Sequence, residues 1–126
     1  GQGPKANGMP ELHSLTPLLS ILQEKGFKVA LVTDGRMSGA SGKIPAAIHL
    51  YPEAIEGGPI AIVRDGDRIF IDAEANTITL DLSKEEIKSR FDNWQKPEAR
   101  YTRGVLAKYA ATVTSASEGA VTDKYV

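Results

Sequence analysis

Val29-Ala30-Leu31-Val32-Thr33-Asp34-Gly35-Arg36-Met37-Ser38-Gly39-Ala40-Ser41-Gly42 is an apolar run that empties into a turn rich in glycine, hydroxyls and charge. Lys28 to Thr33 has the length and composition of a strand buried on both faces. A polar loop at the carboxyl end of such a strand is where α/β folds place their chemistry. The loop is not a P-loop, because no lysine followed by Ser or Thr stands at the required spacing, and it is not GxGxxG. On spacing alone it is either a ligand-binding turn or a plain strand-to-helix connection.

Outward from this stretch the pattern alternates. Gly1 to Gly8 has loop composition, and Met9-Pro10-Glu11-Leu12 reads as a short helical turn. Thr16 is placed to cap a helix with Pro17 at its first position, Leu18, Leu19 and Leu22 covering one side, and Gly26 closing it. Downstream, Ile44 to Leu50 fits strand or helix equally, and Gly57-Gly58-Pro59 is a break. Ile60 to Val63 and Arg68 to Ile71 flank Asp65-Gly66 as a β-hairpin, with a further strand at Thr77 to Leu80. Ser83 and Glu86 have capping-box spacing and open a helix reaching about Trp94, and Gly104 to Tyr109 is a further short helix. The sum is an α/β domain with mixed sheets.

The 126 residues suffice for one domain with one core. A net charge of -1 gives no bulk electrostatic reason for a nucleic-acid or membrane-surface partner. No apolar stretch approaches the roughly 20 residues a membrane helix needs. There are no cysteines, which excludes disulfides, thiolate nucleophiles and any iron–sulfur cluster ligated by this chain itself. The opening Gly1-Gln2-Gly3-Pro4-Lys5 lacks an initiator Met, and we expect a piece excised from a larger protein.

Ser38 reads as a nucleophile, a general base or a turn residue bonded to local backbone. The two histidines, His13 and His49, are not adjacent to it in sequence, and both are expected to be packed or hydrogen-bonded rather than metal ligands. Asp34 and Arg36 pair with each other, the commoner outcome, orient the loop, or meet a substrate anion. Glu11 either favours a helix N-terminus or serves as one oxygen ligand of a magnesium ion. Lys5, Arg36 and Lys43 contact a phosphate or carboxylate, or stand solvated on their loops. Arg64, Asp65 and Asp67 read as a solvated hairpin tip. Residue chemistry alone gives no complete site.

Four motifs in order carry a resemblance. They are Gly3-Pro4-Lys5-Ala6-Asn7-Gly8-Met9-Pro10-Glu11, Thr33-Asp34-Gly35-Arg36-Met37-Ser38-Gly39, Pro52-Glu53-Ala54 with Gly57-Gly58-Pro59, and Asp65-Gly66-Asp67. Together they resemble the C-terminal domain of the dihydroxy-acid/phosphogluconate dehydratases over most of the first 70 residues, and Ser115 to Asp123 resembles that family's C-terminal end. Lys5-Ala6-Asn7-Gly8, Glu11-Leu12-His13 and Met37 to Lys43 look like the 6-phosphogluconate branch.

The resemblance implies a swivelling β/β/α domain with mixed sheets and a barrel-like core flanked by helices, with residues 1–126 of this chain forming the single C-terminal domain of a larger cytoplasmic enzyme. The implied reaction is loss of water from 6-phospho-D-gluconate to give 2-dehydro-3-deoxy-6-phosphogluconate, in the Entner–Doudoroff pathway. It further implies an iron–sulfur cluster on an N-terminal domain outside this chain, a shared Mg2+, and a homodimer when full length. By motif position Ser38 would be the catalytic base and Glu11 the magnesium ligand, and Arg36, Ser41 and Lys43 would contact the substrate. The isolated chain would then fold without catalysing. The rival readings are a dihydroxy-acid or sugar-acid dehydratase of the same family and a non-catalytic swivelling module.

Overall fold

The structure, a computed structural model, describes residues 1–37 and 42–124. In chain order its elements are α1 (Pro4–Asn7), α2 (Leu15–Glu24), β1 (Leu31–Val32), β2 (Ala46–Ala47), β3 (Ile69–Asp72), β4 (Thr77–Leu80), α3 (Lys84–Asp92) and α4 (Gly104–Thr112). Short 3-10 turns occupy Ala54–Glu56, Pro59–Ile62 and Ala116–Glu118. β1 pairs parallel with β2, Leu31 opposite Ala46 and Val32 opposite Ala47. β3 pairs antiparallel with β4 from Ile69 opposite Leu80 to Asp72 opposite Thr77.

This is the mixed α/β class expected, but the barrel-like core is not formed by the described residues: each sheet has two strands and neither closes. Two runs expected as strands fall short. Lys28 to Ala30 stay outside the ladder, and Ile60 to Ile62 coil into a 3-10 turn behind Pro59, whose fixed φ suits the start of a helical turn. The Asp-Gly turn forms, with the Asp67 amide donating to the Arg64 carbonyl at 3.0 Å, yet it joins that 3-10 turn to β3. The hairpin itself is β3–β4. Its turn is held by the Asp72 carboxylate, which accepts the Glu74 and Ala75 amides at 3.0 and 2.9 Å.

Helix starts also moved. α2 begins at Leu15 behind Ser14, because the Thr16 hydroxyl donates to the Leu12 carbonyl at 2.7 Å and is fully buried, so it cannot cap. α1 forms where loop was expected, and Met9 to Leu12 makes no helix. At α3 the Ser83 hydroxyl accepts the Glu86 amide at 3.1 Å, but the return half of the capping box is missing. The Glu86 carboxylate instead takes Arg90 Nε at 2.7 Å, and the helix ends at Asp92.

The core is small and half polar. Ala6, Leu31, Ile44, Ile62 and Val113 are buried, and so are Thr16, Thr33, Asp34, Glu53 and Thr114. The apolar stripe of α2 exists but the described chain lays nothing over it: Leu18 is 60% exposed, and Leu15, Ile21 and Leu22 are exposed as well. Both histidines are exposed rather than packed. Asp67 is not a solvated tip residue, because Arg90 grips it with both terminal nitrogens, Nη2 to Oδ1 at 3.0 Å, while Nη1 also donates to the Ile62 carbonyl. No helix among the described residues is long and apolar enough to cross a membrane.

Candidate active site

Strand β1 ends at Val32, and its exit turn is fixed by backbone and side chain together. The Thr33 amide donates to the Ala47 carbonyl at 2.9 Å, and the Leu50 amide to the Thr33 carbonyl at 3.2 Å, carrying the parallel pairing into the turn. The Thr33 hydroxyl accepts the Gly35 amide at 3.0 Å. Asp34, 1% exposed, accepts the Gln2 amide on Oδ1 and the Ala54 amide on Oδ2, each at 2.8 Å. The expected Asp34–Arg36 pair does not form. Arg36 turns its Nε to the Met9 carbonyl at 2.9 Å.

That contact is one of two linking Arg36 to the amino-terminal loop. The Leu12 amide donates to the Arg36 carbonyl at 3.2 Å, making a parallel bridge between Glu11 and Arg36. Glu11 therefore stands beside the segment that leads, two residues on, to Ser38. Its carboxylate is exposed and accepts no hydrogen bond or ion pair from the described residues. Among those residues no three His, Cys, Asp or Glu side chains gather into a metal site. Among the described residues Glu11 is a lone hard oxygen donor at this place, and they do not by themselves complete a magnesium shell.

Lys43 is placed apart from this pair. Its ammonium meets Glu24 Oε1 on α2 at 2.7 Å, and its carbonyl accepts Gln23 Nε2. The bond to Glu24 holds the Lys43 ammonium above its ordinary pKa and the Glu24 carboxyl below its own. Ser38 and Ser41 lie outside the described residues.

Glu53 is a site-forming residue to which the sequence reading gave no role. It is 4% exposed and accepts the Lys5 amide at 2.9 Å and the Ala6 amide at 3.1 Å, the free N–H groups of the first turn of α1. Gly3, at the cap position, has no side chain to do this, and a methyl group there would overlap the Glu53 carboxylate. The signal was present in the motif Pro52-Glu53-Ala54, an acidic residue beside a glycine break. A cleft of about 590 Å³ opens next to it, lined by Lys5, Tyr51, Glu53, Glu56, Thr114 and Ser115 among others. Neither Glu11, Arg36 nor Lys43 lines that cleft. At its rim Lys5 pairs with Glu56 at 3.0 Å, and this bond, with help from Lys96, holds the Glu56 carboxyl below its usual pKa.

Residues 1–120 match the family model described as dihydroxy-acid/6-phosphogluconate dehydratase C-terminal. The chain is similar to a phosphogluconate dehydratase of Pseudomonas aeruginosa, 76% identical over 71 residues that make 56% of this chain and 12% of that protein. It is 61% identical over 89 residues to a phosphogluconate dehydratase of Rhizobium meliloti, covering 71% of this chain and 15% of that protein. A dihydroxy-acid dehydratase 2 of Pseudoalteromonas translucida is 52% identical over 126 residues, 98% of this chain and 22% of that protein. The chain thus spans 12 to 22% of the length of these curated relatives.

Proposed function

Because the chain belongs to the dihydroxy-acid/6-phosphogluconate dehydratase C-terminal family, whose similar members carry dehydratase names, we propose that it supplies the proton-abstracting part of a hydro-lyase acting on 6-phospho-D-gluconate. The choice of substrate is supported by the identity to the two phosphogluconate dehydratases, 76% over 71 residues and 61% over 89, beside 52% over 126 residues for the dihydroxy-acid enzyme. The observation that carries the reading is the Glu11–Arg36 bridge, which sets Glu11, whose carboxylate has no partner among the described residues, beside the segment running into Ser38.

In this reading the Ser38 alkoxide takes the C2 proton of the sugar acid, and the electron pair left behind forms the C2–C3 double bond as the C3 hydroxyl leaves. The enol then tautomerises to 2-dehydro-3-deoxy-6-phosphogluconate, with water as the other product. A serine is a base only when positive charge beside it lowers its pKa strongly. Glu11 would hold magnesium there. When bound, that ion would supply positive charge and an anchor for the substrate carboxylate, and an iron–sulfur cluster from outside this chain would supply Lewis acidity at the leaving hydroxyl. Arg36, Ser41 and Lys43 would bind the hydroxyls and phosphate of the substrate. The complete enzyme would be a cytoplasmic homodimer with its iron–sulfur domain upstream of this one, and this chain alone would be inactive.

The test is to prepare the complete gene product anaerobically and assay it on 6-phosphogluconate and on a branched 2,3-dihydroxy acid, beside Ser38→Ala and Lys43→Ala. The expected outcome is turnover of the phosphorylated sugar acid, loss of kcat by a factor of about 1,000 or more in Ser38→Ala with cofactor content unchanged, and a raised KM in Lys43→Ala. Turnover of the dihydroxy acid alone would assign the other branch. Full activity in Ser38→Ala would remove the serine from the chemistry.

A further inference from the structure

Asp34 joins three segments that are far apart in sequence. Through Oδ1 it holds Gln2, in the loop that leads to α1 and Glu11, and through Oδ2 it holds Ala54, at the start of a 3-10 turn. Asp34 itself sits in the turn that leads to Ser38. The same turn is tied across by the amides of Leu12 and His49, which donate to the Arg36 and Gly35 carbonyls at 3.2 and 2.9 Å. A carboxylate accepts at both ends without presenting a donor, whereas an amide side chain satisfies one of the two N–H groups and opposes the other. Buried this deeply, a charge is retained only where such bonds compensate its lost hydration. Two bonds to separated amides fix the direction of the turn as well as its distance.

We propose that Asp34 is a positioning residue: it sets where the turn leading to Ser38 lies relative to the segment carrying Glu11, and so governs proton transfer rather than substrate binding. The proposal rests on the reading of Ser38 as base and Glu11 as cation ligand. A displacement of about 1 Å between reacting groups costs on the order of 100-fold in rate.

The experiment compares Asp34→Asn, Ala54→Pro, Asp67→Asn and Ser38→Ala in the complete enzyme. Ala54→Pro removes the N–H that Oδ2 accepts and puts the ring Cδ where that hydrogen stood, so the Oδ2 arm of Asp34 must also move aside. Position 54 opens its 3-10 turn, and Glu53 before it is extended at φ -68° and ψ 162°, which a following proline accepts. Asp67→Asn disturbs a buried pair at the turn before the hairpin and controls for loss of stability alone. Asp34→Asn is expected to lower kcat about 100-fold and Ala54→Pro about tenfold, with KM within about threefold. Hydrogen exchange at Leu12 and His49 should quicken at least about tenfold in both while the β3–β4 amides keep their rates. Asp67→Asn should leave kcat unchanged.

Unchanged kcat in Asp34→Asn and Ala54→Pro would overturn the proposal. So would a kcat loss in Asp67→Asn of the same size at equal thermal stability. If Asp34→Asn does not fold, Ala54→Pro decides. An active Ser38→Ala would overturn the underlying base assignment. An inactive Ser38→Ala beside fully active Asp34→Asn and Ala54→Pro would overturn the role of Asp34 alone.

Discussion

The loops between residues 1 and 56 and the β3–β4 hairpin are built on opposite plans. The hairpin has the longest regular ladder in the described chain, four paired positions on each strand, yet Phe70, Ile71 and Ile78 on it are exposed. Residues 1–56 have almost no ladder, yet with their short helices and loops they hold most of what is buried, including both carboxylates shielded to within a few per cent. Regular backbone pairing maintains the hairpin; side chains bonded to distant amides maintain the loops. The difference teaches that order in this chain follows polar satisfaction rather than secondary structure. A buried N–H without a partner is expensive wherever it lies.

The sharpest way to break the comparison is Gly58→Ala. Its φ of -63° is ordinary, so only space is at issue: the added methyl would overlap the Pro52 carbonyl, which is backbone and cannot turn aside. We expect a loss of about 4 kcal/mol or more, read from urea unfolding of the complete protein. A wild-type midpoint would mean that the loops are looser than their contacts imply. The next test lies at the turn before the hairpin, which α3 grips. Asp67 and Arg90 are each about nine-tenths shielded, and the Arg90 guanidinium, then the Arg64 amide, hold the Asp67 carboxyl below its ordinary pKa.

A carboxyl depressed on folding adds stability that is complete above the unfolded value of about 3.9 and disappears as pH falls through the folded one. Melting temperature should therefore drop between pH 5 and the acid limit more steeply in the wild type than in Asp67→Asn, which starts lower at neutral pH. Parallel profiles would show that the pair adds nothing. The smallest effect belongs to the hairpin. Ile78→Thr alters an exposed cross-strand pair with Ile71 and should cost about 0.2 to 1 kcal/mol by the same unfolding measurement.

What was legible in the sequence was what local chemistry decides. The α/β class, the Thr77 to Leu80 strand and the Ser83 cap depend on neighbours within a few residues, and all three are present. The family was legible as well, because its motifs keep their order and gaps. What failed depended on partners far along the chain. α1 is held by Glu53, 48 positions from Lys5. Glu86 prefers Arg90 to its own helix end, and the Leu18 stripe needs a covering surface that no local pattern specifies. At the site, Glu11 and Arg36 were each singled out, but their adjacency comes from a bridge across 25 residues of chain and has no signature in either segment.

Glu53 and Glu56 stand three residues apart and answer differently to ionic strength. Glu56 is half-exposed and balanced by the ammonium groups of Lys5 and Lys96, a surface arrangement that counterions weaken over a Debye length of about 8 Å at physiological salt. Glu53 has no cation partner among the described residues; its bonds run to two backbone amides inside the fold, where dissolved ions do not reach. The frame around α1 and the approach to Glu11 is thus insulated from the salt content of its surroundings, while the rim of the neighbouring cleft is left to respond to it.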